Sequence, residues 1–265
     1  MPNMLNLTKE ESDKLLNLRK ETLATLCLEK TGLNGAEARV ALVLDYSGSM
    51  SSLYRNGTVQ AIIERILPIA MQFDDNGEME FWIFSNNYYR LPNISLKNYY
   101  GYVKREIMDK GYQMGGTYYA PVMRDVANKY MNEDPAPIAD YVIFITDGEN
   151  SDRAESTEVI TQNSYLPIFW QFVGCGRESF SFLRKLDEME GRYIDNANFF
   201  SIDNMLDSSD SEIYNKLLAE FPSWLNDPIV VDLIQNKYKG IPRIAGGHTA
   251  ERKPEKRGFF SRLFG

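Results

Sequence analysis

Four short, largely apolar runs constrain this 265-residue chain more than anything else in it. They are 40–44 (VALVL), 80–84 (EFWIF), 141–145 (YVIFI) and 168–173 (IFWQFV). A strand with one wet face alternates apolar and polar residues. A strand apolar throughout needs cover on both faces, as in a parallel sheet. The stretches between the runs carry helical spacing instead. Val59, Ile62, Ile63, Ile66, Leu67 and Ala70 follow the i, i+3, i+4, i+7 rule, and Pro68 predicts a kink or an early end to that helix. Further helices are predicted over 98–110, 120–131, 155–165, 180–189 and 211–226, the last ending before Pro228. Strands alternating with helices give βαβ units, hence an α/β fold with a mostly parallel central sheet and helices on both faces.

The ends of the chain read differently. Residues 8–31 predict a helix, opened by a capping box of Thr8 and Glu11 and stopped by Gly32 and Asn34-Gly35. Residues 240–265 are rich in Gly and Pro and finish in GFFSRLFG. Within 251–265, five Lys/Arg stand against two Glu, a net +3 in a chain whose formal charge is -8. The organisation expected is therefore an N-terminal helix and linker over 1–37, a main domain over 38–239, and a flexible basic-aromatic tail over 240–265. Phe259, Phe260, Leu263 and Phe264 make that tail a candidate docking peptide for a partner or a second copy. A disordered end and a surface membrane contact are the competing readings.

Composition removes most catalytic chemistry. His248 is the single histidine and lies in the Gly-rich tail, which excludes Ser-His-Asp and Cys-His catalysis and histidine-based zinc sites. Cys27 and Cys175 are too few for a disulfide framework and read as buried packing. The acidic balance disfavours nucleic acid as a partner. No signal peptide is evident at the N-terminus and no run is long enough to span a bilayer. The expected location is the cytoplasm, with attachment at the inner face of the membrane as the second expectation.

What remains is oxygen chemistry. Asp45-Tyr46-Ser47-Gly48-Ser49 follows the first apolar run, and Asp147, in Thr146-Asp147-Gly148-Glu149-Asn150, follows the third. Ligands of open parallel sheets bind at the carboxyl ends of the strands, so both carboxylates are expected at one edge. Gly115-Gly116-Thr117 adds a loop with one more hydroxyl. Two carboxylates and three hydroxyls suit a hard divalent ion: Mg²⁺, with Mn²⁺ or Ca²⁺ as alternatives. Two negative charges balance the ion, and an open coordination position could take an acidic side chain from a protein partner. Glu149 and Asn150 read as solvated loop residues, and Tyr46 and Met50 as packing. The pairs Tyr88-Tyr89, Tyr99-Tyr100 and Tyr118-Tyr119 read as helix or loop packing, with Tyr118 and Tyr119 also candidates for a recognition rim beside Thr117.

The DxSxS pattern at 45–49, the downstream Gly-Gly-Thr and the Thr-Asp-Gly together resemble the metal-ion-dependent adhesion site of von Willebrand factor A (vWA) domains, over roughly residues 38–227. The resemblance implies the vWA, Rossmann-like fold and metal ligation by Asp45, Ser47, Ser49, Thr117 and Asp147, directly or through water. LVLDYSGSM at 42–50, VQAIIERILPIA at 59–70, FPSWL at 221–225, the N-terminal helix and the GFFSRLFG ending are similar to bacterial TerF-type vWA proteins of tellurium and chemical-stress resistance. That likeness implies a non-catalytic, metal-dependent binding module in a stress-response assembly. Two other functions compete: a metal-dependent phosphohydrolase, which lacks a GxxxxGK[ST] loop here, and an adaptor for an AAA+ ATPase.

Overall fold

A computed structural model describes residues 7–236 except Thr31, Asn34 and Asp75. The 240–265 tail, with His248, Phe259, Phe260, Leu263 and Phe264, lies outside the described residues. The chain runs α1 (Lys9–Glu29), β1 (Ala38–Asp45), α2 (Ser51–Arg55), α3 (Thr58–Phe73), β2 (Met79–Phe84) and β3 (Tyr88–Ile94). Then follow a π turn at Val103–Ile107 and a 3₁₀ turn at Met108–Lys110, α4 (Ala120–Asn128), a second π turn at Lys129–Glu133 and β4 (Ala139–Thr146). The remainder is α5 (Arg153–Asn163), β5 (Ile168–Cys175), α6 (Ser181–Glu188), β6 (Ala197–Ile202), α7 (Asp210–Leu217), α8 (Phe221–Leu225) and α9 (Pro228–Asn236).

One six-stranded sheet, in the order β3-β2-β1-β4-β5-β6, forms the centre. All neighbours are parallel except β3, which runs antiparallel to β2. The apolar runs do what their composition demands. Along β1, Val40, Leu42 and Leu44 face one hydrophobic core, while Ala41 and Val43 face the other. The sheet thus separates two cores, each roofed by helices. From β1 the order steps outward to β2 and β3 on one side and to β4, β5 and β6 on the other. The ends of β1 and β4 therefore flank the point where the winding reverses, where an open sheet leaves a crevice.

Several expectations need correction. The segment 59–70 belongs to a helix that continues through Pro68 to Phe73. Burial of that helix on nearly every side outweighs the hydrogen bond the proline forfeits. Its cover includes α1, which packs on α3 and α7 and is opened by the Thr8–Glu11 capping box. The region 98–110 forms only the π and 3₁₀ turns. The stretch 211–226 is two helices, α7 and α8, and α9 starts at Pro228 itself, where a first-turn proline costs nothing. Strands β3 and β6 were not expected. Tyr88 and Tyr89 lie on β3, not on a helix or loop.

Candidate functional site

The site grows out of the end of β1. Asp45 is the last residue of that strand and has no exposed surface. The backbone then turns sharply: the Ser47 N–H donates to Asp45 Oδ1 at 2.7 Å, an Asx-type turn that aspartate favours. The hydroxyl oxygens of Ser47 and Ser49 lie 3.0 Å apart, and Ser49 Oγ donates to Asp147 Oδ1 at 2.8 Å. Asp45, Ser47, Ser49 and Asp147 are thus one contiguous set of oxygens, although Asp147 is 98 residues from Ser49.

Backbone contacts bring the third loop to the same corner. The Gly48 N–H donates to Gly115 O at 3.0 Å, and Ser47 pairs with Gly115 in an isolated parallel bridge. A Cβ on Gly115 would lie 2.7 Å from Asn86 Oδ1, so any side chain there would displace the Asn86 amide. Asn86 Oδ1 also accepts from the Gly116 N–H. Thr117 follows directly, half-buried, with its carbonyl accepting from Ser151 N at 2.9 Å.

Behind these oxygens lies a support layer that the sequence did not announce. Thr146 Oγ1 donates to Asp45 Oδ2 at 2.6 Å, and Tyr54 OH donates to the Asp45 carbonyl at 2.8 Å. Tyr119, expected on a recognition rim, has no exposed surface. Its hydroxyl donates to Gly148 O at 2.7 Å, which joins the Thr117 loop to the Asp147 loop from beneath. Tyr118, by contrast, is 39% exposed. Asp152 accepts from Tyr119 N at 3.0 Å and Ala120 N at 2.8 Å, supplying the acceptors for the start of α4. Asn150, expected to be solvated, is buried and donates to both Asp152 Oδ1 and Ser156 Oγ. Glu149 accepts from Arg153 and Ser181. Tyr46 and Met50 are buried, as expected of packing residues.

Electrostatically the site carries unmet negative charge. Burial raises the Asp45 carboxyl to about 6, against the hydrogen bonds from Ser47 and Thr146, and Asp147 pushes it further the same way. Burial also raises Asp147, opposed by the hydrogen bond from Ser49. Burial holds the Cys175 thiol up to about 12. Among the described residues no group of three or more His, Cys, Asp or Glu could hold a metal. The donors here are two carboxylates with serine hydroxyls between them. Such a set fits a hard divalent ion, which would supply the positive charge the carboxylates lack. Asp45, Ser47, Ser49 and Asp147 are in place to hold it, and Thr117 lies two residues beyond Gly115, which pairs with Ser47.

The family model for the vWA-TerF-like group, described as the vWA found in the TerF C terminus, matches residues 37–230. The chain is 45% identical over 251 residues to the uncharacterized protein YcbR of Bacillus subtilis (strain 168), covering 94% of this chain and 98% of that protein. Solved structures similar in shape include the manganese-loaded TRAP protein of Plasmodium vivax (17% identity, 70% of this chain and 73% of that one, TM-score 0.49). Another is the SpRpn10 VWA domain (11% identity, 68% and 95%, TM-score 0.48). The match over residues 37–230 and the identity to YcbR show that this chain belongs to the vWA-TerF-like family.

Proposed function

We propose that the chain is a non-catalytic, metal-ion-dependent protein-binding module, acting in a bacterial tellurium or chemical-stress response. The observation that carries this reading is the unbroken series of oxygens from Asp45 through Ser47 and Ser49 to Asp147 at the crevice between β1 and β4. A bound Mg²⁺ or Mn²⁺ would offer an electrophilic coordination position to an acidic side chain of a partner. Asp45 and Asp147 would balance the ion's charge and the serine hydroxyls would leave it electron-poor, while Thr146 and Tyr54 hold Asp45 in its orientation.

Titration of the purified chain with Mn²⁺, followed by calorimetry and by the ion's paramagnetic resonance, tests the reading. One bound ion is expected, lost in Asp45→Ala and in Asp147→Ala. Affinity capture from the native cell should yield an associated protein with divalent ion present and release it with chelator. Unchanged capture by both variants would sink the proposal. Turnover of phosphate esters that disappears in Asp45→Ala would replace it with the phosphohydrolase reading.

A further inference from the structure

The opposite edge of the sheet carries a second feature, independent of the metal corner. Phe169 near the start of β5, the 193–195 loop before β6, and Glu220 to Ile229 around α8 enclose an open cavity of about 520 Å³. Its surroundings hold an unusual amount of exposed apolar surface. Tyr165 and Tyr193 stack face to face with ring centroids 4.8 Å apart, yet are 52% and 49% exposed, and Ile229 is 40% exposed. The Trp224 indole lines the cavity, nine-tenths buried and more, and its N–H has no hydrogen-bond acceptor. A monomer seldom leaves such a patch open unless something covers it.

The rim says what kind of chemistry would cover it. Asp195, Glu220 and Asp227 line the cavity, and Asp187 stands close enough to Glu220 and Asp195 to be repelled by both. Burial, then this mutual repulsion, raises Asp187 to about 6 and raises Glu220 as well. Arg192 answers part of the charge by pairing with Asp195 at 2.7 Å. Arg192 also offsets Asp187 and Glu220, and Asp227 accepts from the Ile229 N–H at 2.7 Å, yet Asp187, Asp195 and Glu220 share this one guanidinium. An aromatic floor under an acidic rim suits a segment that brings aromatic side chains and cations together.

We propose that this cavity receives the chain's own C-terminal segment, 251–265. That segment supplies both halves of the match: Phe259, Phe260, Leu263 and Phe264 for the aromatic floor, and Lys256, Arg257 and Arg262 for the carboxylates. It is tethered at the right place, because Ile229 on α9 is itself part of the cavity wall and α9 ends at Asn236. The residues from Asn236 to Phe259 can extend to about 70 Å, several times the length of α9, so the segment reaches back without strain. Tethering also raises its effective concentration to the order of millimolar, which makes a weak contact sufficient.

Site-specific photo-crosslinking in the full chain tests this, with p-benzoylphenylalanine at position 259 and mapping by mass spectrometry. Illumination should link residue 259 to 192–195 or 220–229 within a single chain. Glu220→Gln combined with Asp195→Asn should cut the yield by about threefold or more, as should raising the salt. Arg257→Gln with Arg262→Gln should do the same while leaving the cavity's own residues intact. Links mapped elsewhere, no links, or a yield indifferent to all four substitutions would overturn the proposal. Links found only between two chains would overturn it in favour of a second copy.

Discussion

Asp45 depends on two neighbouring groups, the Thr146 hydroxyl and the Ser47 backbone N–H, that hold its carboxylate. Its Oδ2 accepts from Thr146 while its Oδ1 accepts from Ser47 N, so both carboxylate oxygens are oriented before any ion arrives. Thr146→Val, nearly isosteric, should lower stability by about 1–3 kcal/mol, because a buried carboxylate oxygen loses its partner. The same change should weaken Mn²⁺ binding by about 10–100-fold, the usual effect of losing a group that orients a ligand. Urea denaturation without metal and calorimetry with it separate the two effects. A second residue-scale prediction concerns Gly174. A Cβ there would sit 2.8 Å from the ring of Phe180, a residue already in the left-handed region at φ 47°. Gly174→Ala should cost about 1–3 kcal/mol through overpacking, read as a fall in the urea midpoint.

At the scale of elements, the loops of the site are fastened to one another rather than to the strands alone. Asp152, at the end of the Asp147 loop, caps the start of α4 just behind Thr117. Asp152→Ala should cost about 2 kcal/mol as a lost cap, and hydrogen exchange should quicken at Tyr119 and Ala120 while β1 and β4 keep their protection. The sequence showed β1, β2, β4 and β5 because an unbroken apolar run has few other uses. It hid β3, whose YYRLPNI has four partly or fully exposed positions, one of them a proline, as an edge strand tolerates. The oxygen cluster of Asp45, Ser47 and Ser49 was visible for a similar reason: Asp and Ser directly after an apolar run stand at a strand's carboxyl end. Thr146, Tyr54 and Asp152 were not, since each looks like an ordinary strand, helix or loop residue until a contact 9 to 101 residues away gives it a role.

Across the whole molecule, buried carboxyls give an unusual response to pH. Asp187 is raised to about 6 from an ordinary value of 3.8, so between those values the folded chain binds protons that the unfolded chain does not. Stability from this group therefore falls as pH rises through that window and grows on acidification. Asp187→Asn should stabilise the chain more at pH 7 than at pH 5, a difference measurable by urea denaturation at the two values. The N-terminal helix also belongs to the body: buried Arg19 pairs with Asp210 at the start of α7 at 3.3 Å, which ties residues 191 positions apart.

That Asp45 and Asp147 reach one corner only once the sheet has formed has a thermodynamic consequence. An unfolded chain disperses these donors and holds no ion worth the name, so any ion captured by the native state shifts the unfolding equilibrium in its favour. Each tenfold excess of free ion over its dissociation constant should add about 1.4 kcal/mol. The melting temperature should climb with the logarithm of Mn²⁺ or Mg²⁺ concentration and stay flat in Asp147→Ala. The chain would then report, through its own thermal resistance, how much divalent ion surrounds it.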